Sequence, residues 1–136
     1  MERTSNEALY RRLIEEGFNQ GNLAVVDEIV SPDAIEHQRG MKPGQEGVKG
    51  TIRYLRNAFP DFSLTIEELV VNGDKVWARQ KGGGTNLGSF LGRPPTGLAM
   101  KTDVFDVCRF EDGKMVEHWG VPDQLGALQR LGHIPQ

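Results

Sequence analysis

The sequence predicts an α+β fold, helices first and strands after, and three observations carry that prediction. Up to Phe59 the apolar residues recur at roughly helical intervals, and from Phe62 to Val121 they alternate instead. The two regimes follow one another without interleaving, which points to segregated helices and strands rather than repeated βαβ units. Two tight-turn signals, NGDK at 72–75 and EDGK at 111–114, each divide an alternating stretch into a hairpin.

Taken in order, Asn6 to Asn19 places Leu9, Leu13, Ile14 and Phe18 near helical spacing, with Arg11, Arg12, Glu15 and Glu16 turned outward. Ser5 or Asn6 caps this first helix, and Gly17 or Gly21 marks its end. LAVVDEIV (23–30) reads as a second short helix stopped by Ser31-Pro32, and AIEHQR (34–39) as a brief extended piece carrying His37. EGVKGTIRYLRNAF (46–59) is the third helix, with Val48, Ile52, Leu55 and Phe59 inward and Pro60 as its stop. FSLTIEELVV (62–71) and KVWARQKG (75–82) form one hairpin; LAMKTDVFDVCRF (98–110) and MVEHWGV (115–121) form the other. Between them GGGTNLGSFLGRPPTG (82–97) is expected to be a long loop, and QLGALQRLG (124–132) a closing helix. The expected architecture is a curved four-stranded antiparallel sheet. Three N-terminal helices and a short C-terminal helix enclose a cone-shaped pocket on its concave face.

Composition bounds the function. The 136 residues suit one domain spanning 1–136, and 38% hydrophobic with 26% charged residues is an ordinary globular profile. A net charge of −3 and a pI near 5.6, with scattered Lys and Arg, argue against a nucleic-acid footprint. No apolar run approaches the roughly 20 residues of a membrane helix. MERTSNEALYRRLIEEGF lacks an apolar h-region and a cleavage site, so a cytoplasmic location is expected. Lone Cys108 excludes an intrachain disulfide and is expected to be a small buried residue rather than a nucleophile. No HxH, HxxxH or HExxH spacing suggests a metal, and the glycine-rich stretch contains no nucleotide-binding fingerprint, so no cofactor is expected.

The candidates for chemistry lie mainly in EHWGVPDQLGALQRLG (117–132). Strict alternation along the last strand gives Asp123, Val121, Trp119, Glu117 and Met115 one face, and His118 and Val116 the other. If Trp119 and Val121 face the interior, Asp123 is a partly desolvated carboxylate and a general base for proton abstraction beside a carbonyl. Equally, Asp is a favoured N-cap and Asp123 precedes a helix; local spacing favours the cap, and the two roles are compatible. His37 is a candidate pocket donor or acid. By alternation His118 lies opposite Asp123, at a subunit contact, unless a β-bulge intervenes. Trp77, Arg79 and Lys81 share a face, with Arg79 either solvated or reaching an oxyanion.

The ordered set of motifs resembles the SnoaL-like polyketide cyclase family of the ketosteroid-isomerase and NTF2-like superfamily. The motifs are FNQGN, DAIEH, GQEGVKG, FPDF, NGDKVWAR, GTNLGSFLGRPPTG, FEDGKMVEHWGVPD and LGHIP. The resemblance implies a hydrophobic cavity inside a curved sheet, a homodimer, and a cofactor-free intramolecular aldol condensation by an aspartate general acid/base. It places that aspartate at Asp123, with His37 and His118 in or near the cavity. The expected ligand is small and hydrophobic, multi-ring or β-dicarbonyl in type, and Trp119, Trp77, Arg79, Phe90, Phe105 and Asn86 are the candidates to bind it. Asn86 stands where the commoner pattern has a His after Gly-Thr. Because the superfamily also holds isomerases, hydratases and non-catalytic binding modules, these stay as alternative readings.

Overall fold

A computed structural model describes residues 5–136; residues 1–4, the start of the charged N-terminal segment, lie outside the described residues. Ser5 Oγ accepts the Ala8 N–H and opens helix α1 (Asn6–Arg12), which continues into a π-helical stretch, Leu13–Phe18. The wider π turn delivers Asn19 to the sheet, where its side chain pairs with both backbone groups of Leu64. Helix α2 (Ala24–Ile29) then runs directly into strand β1 (Val30–Glu36). Helix α3 (Gly44–Ala58) buries Val48 and Ile52 and ends as expected before Pro60. Strands β2 (Ser63–Asn72), β3 (Lys75–Thr85), β4 (Ala99–Glu111) and β5 (Lys114–Pro122) follow, and helix α4 (Gln124–Arg130) closes the described chain.

The α+β class and the order of elements agree with the sequence, but the sheet has five strands in the order β1-β5-β4-β3-β2. The short extended piece expected around His37 joins the edge as β1, parallel to β5, with Glu36 opposite His118. Pro32 lies within that strand, as an edge position allows, rather than merely stopping a helix. The glycine run is a second difference, because β3 continues through it to Thr85. A Cβ on Gly83 would lie 2.0 Å from the Met100 carbonyl oxygen, so the absence of a side chain is what lets β3 and β4 pair so closely there. The irregular rim, residues 86–98, is held by Asn86: its side chain accepts from the Thr96 N–H and donates to the Gly88 carbonyl.

Along β4 the even-numbered residues face inward. At one end Cys108 and Phe110 pack with Val76, Met115 and helices α1 and α2 into a filled core. Towards the other end Val104, Thr102 and Met100 line open space. Asp106 marks the boundary between the two.

Candidate active site

The open end is a cavity of about 900 Å³. Its walls are largely apolar: Phe59, Phe62, Leu64, Phe90 and Met100 are all buried and contribute to it. Asp106 and His118 form its polar floor, from adjacent strands.

How His118 comes to face inward is a matter of register. Strict alternation from buried Met115 would turn His118 outward, but β5 carries a bulge at Val116: Arg109 pairs with Glu117, whereas Phe110 pairs with Met115. The extra residue resets the alternation, so Met115 and His118 both point inside. His118 is 8% exposed and lies between two carboxylates, with Nε2 2.9 Å from Asp106 Oδ1 and Nδ1 2.6 Å from Glu36 Oε2. Tyr10 Oη and Gln80 Nε2 donate to the other oxygen of Asp106, at 2.9 and 3.0 Å. The Gln38 backbone N–H donates to Glu36.

Burial on its own disfavours a charged imidazole, but hydrogen bonds and charge from Asp106 and Glu36 outweigh it and push His118 up to about 10. Burial likewise works to raise Asp106, yet the bond and charge of His118, aided by Tyr10 and Gln80, hold it below the usual carboxylate range. Burial first, then the Asp106 charge, lifts the Tyr10 phenol well above its ordinary value. At neutral pH His118 is therefore an imidazolium, held between the Asp106 and Glu36 side chains. Gly120, opposite Asp106 on β5, lets the Gln38 side chain pack against the Asp106–His118 pair. A Cβ there would meet Gln38 Oε1 at 2.1 Å, Asp106 Oδ1 at 2.8 Å and His118 Cε1 at 2.9 Å, so the Gln38 amide reaches the same point as the charged pair.

The other residues singled out from the sequence are distributed differently. Asp123 is the N-cap of α4: its Oδ1 accepts the Gly126 N–H at 2.8 Å, and its side chain is 46% exposed at the cavity rim. His37 is outside the cavity, stacked on Trp119 at 4.8 Å and hydrogen-bonded to Glu117. Trp77, Arg79, Phe105 and Trp119 lie on the opposite face of the sheet from Asp106, because the odd positions of β3 and β4, and those of β5 after the bulge, point away from the helices. Trp77 is 49% and Phe105 53% exposed there, and Arg79 is 3.7 Å from Glu68 rather than near an oxyanion. Phe90 does line the cavity, whereas Asn86 is buried as the staple of the rim. Cys108 is buried, and burial pushes its thiol well up. Among the described residues no group of His, Cys, Asp and Glu is arranged to hold a metal ion, since carboxylates occupy both His118 nitrogens.

Asp106, Glu36, Tyr10, Gln80 and Gln38 were not among the residues the sequence singled out. The signal for Asp106 was present: in MKTDVFDVCRF an aspartate shares its face with Val104, Cys108 and Phe110, an acid in the middle of an apolar stripe. Glu36 and Tyr10 come to the site only through the parallel β1–β5 pairing and the packing of α1, for which local sequence has no signature.

Known proteins share this architecture. The chain is 30% identical to the aklanonic acid methyl ester cyclase DnrD of Streptomyces peucetius, over 91% of this chain and 88% of that one. It is 28% identical to the nogalonic acid methyl ester cyclase of Streptomyces nogalater, over 85% and 89%. The solved structure of TsrD from Streptomyces laurentii superposes with a TM-score of 0.89 at 30% identity, covering 98% of this chain and 99% of that one. The family model described as SnoaL-like polyketide cyclase matches residues 8–131, and with a curved sheet closed over a cavity of this kind, the chain belongs to the SnoaL-like polyketide cyclase family.

Proposed function

We propose that this protein catalyses a cofactor-free, intramolecular aldol-type ring closure on a small apolar β-dicarbonyl compound, with Asp106 as the general base. The observation that carries the reading is the Asp106–His118 pair on the floor of a large apolar cavity. Asp106 takes the proton from a carbon between two carbonyls. The positive charge of the adjacent imidazolium stabilises the negative charge that moves onto the enolate oxygen. Asp106 is a weak base in isolation, so stabilisation of the enolate, rather than basicity, is what makes abstraction feasible. The enolate carbon attacks a carbonyl of the same molecule, forming the new C–C bond, and the resulting alkoxide takes back the proton from Asp106. No atom is gained or lost.

Asp123, half exposed and committed to its helix cap, is a rim residue in this scheme. Asp106→Asn tests it: turnover of a cyclising β-dicarbonyl aldehyde is expected to fall about 10²–10⁴-fold while the ligand still binds. Wild-type turnover in that variant would remove Asp106 from the chemistry. The complete internal pairing of His118 favours a second reading, a non-catalytic binding module, and ligand binding without turnover by the wild-type protein would select it.

The outer sheet face supports a homodimer. Val70, Trp77, Val107 and Trp119 are in register across four strands, beside Phe105 and Val121, and most of this apolar row is exposed. We assign this face to a second copy of the chain. No described helix is long and apolar enough to cross a membrane.

A further inference from the structure

The mouth of the cavity holds cations that have no partner among the described residues. Among the described residues most lysines and arginines are engaged, as in the pairs Arg12–Glu28, Lys49–Asp27, Lys81–Asp103 and Arg109–Glu117. Others, such as Arg56 and Lys114, donate to backbone carbonyls. Arg39, Lys42 and Arg53 do neither, and all three line the cavity. Arg39 and Lys42 come from the segment between β1 and α3, and Arg53 from the exposed side of α3 next to Tyr54. The acids at the same rim are committed elsewhere: Glu46 is 3.6 Å from Lys49, and Asp123 is bonded to Gly126 and 3.9 Å from Arg130.

The field inside the cavity therefore has a direction. Its floor is the Asp106–His118 pair, with both imidazole nitrogens bonded internally; its walls are apolar; its mouth carries three unpaired cations in a chain whose overall charge is −3. A negative group finds unpaired cations at the rim and none at the floor, where His118 is already paired, so charge sets which end of a ligand goes in first. We propose that the ligand of this cavity is a largely apolar molecule with one anionic group, a carboxylate or a phosphate ester. The anion is held at the mouth by Arg39, Lys42 and Arg53, and the apolar part is directed towards Asp106. This rests on reading the cavity as a small-molecule site, and it adds the class of molecule and its orientation.

The test uses binding alone, so its failure is distinct from failure of the catalytic assignment. The probes are 8-anilinonaphthalene-1-sulfonate and N-phenyl-1-naphthylamine, which share a ring skeleton and differ by the sulfonate. In the wild-type protein the two should compete, with the anionic probe binding about tenfold more tightly, as three exposed cations together provide. In R39Q/K42Q/R53Q that preference should vanish while the neutral probe binds as before; all three positions are exposed, so folding is not at stake. Displacement by 2-naphthoate and by 1-naphthyl phosphate separates the two sources, the tighter competitor naming the group. Equal affinity for both probes in the wild-type protein, or a preference that survives in the triple variant, would overturn the proposal.

Discussion

Raising the pH through the range in which a free histidine has already lost its proton tests the charged floor of the cavity. His118 has an ordinary value of 6.5 and is pushed up to about 10 in the folded chain, so its contribution to stability is complete below 6.5 and is lost as pH rises through about 10. Between those limits the folded state holds one proton more than the unfolded state, and stability falls by about 1.4 kcal/mol per pH unit. From pH 7.0 to 8.5 the loss is about 2 kcal/mol, or about 7 °C in Tm for a chain of this length. Cys108 and Tyr10 are both raised by burial; the ordinary value of Tyr10 lies well above this window, and Cys108, ordinarily at 9.0, adds only about 0.2 kcal/mol to the loss at its upper end. Asp106 runs the other way: its share is present above 3.8 and is lost only as pH falls below that value. Glu36→Gln removes one of the two carboxylates on His118 and should roughly halve the drop between pH 7.0 and 8.5. The assay is urea unfolding at both pH values and fixed ionic strength. A wild-type loss under about 0.5 kcal/mol, or an unchanged slope in Glu36→Gln, would refute the picture of an imidazolium held between two carboxylates.

Three further outcomes follow from the same geometry. Gly120→Ala would drive a methyl into Gln38 Oε1 and against Asp106 Oδ1 and His118 Cε1, shifting the charged pair; turnover should fall at least about tenfold, with a stability cost of about 1–3 kcal/mol by denaturant unfolding. Asp123→Ala removes the α4 cap and should cost about 1 kcal/mol of stability while changing turnover less than about threefold. Replacing exposed Trp77 and Phe105 together by glutamate should convert the proposed dimer to monomers in sedimentation velocity, with the cavity and its probe binding intact.

How much of this was legible in the sequence depended on whether the information was local. Helical spacing located α3 almost to its ends, and NGDK and EDGK located both hairpin turns, because these features are set by neighbours in the chain. The face of the sheet that turns inward was not local. Two tryptophans and a phenylalanine made the odd face look like the interior, yet Trp77, Phe105 and Trp119 point away from the helices, and Gly82, Thr102 and Val104 line the cavity instead. The bulge at Val116 then moved His118 from its expected place outside to the floor of the site. One extra residue in a strand leaves no compositional trace, but it reverses every later side chain. The cap reading of Asp123 needed only a helix after it, and that role is what the structure displays.

The central claim is that the chemistry belongs to the buried pair on the floor rather than to the carboxylate at the rim. Turnover of one cyclising β-dicarbonyl substrate by Asp106→Asn and Asp123→Asn, measured side by side with ligand affinity, tests it most directly. The account predicts a loss of about 10²–10⁴-fold in the first variant and near-wild-type turnover in the second, with similar binding in both. The reverse pattern, an active Asp106→Asn beside an inactive Asp123→Asn, would contradict it.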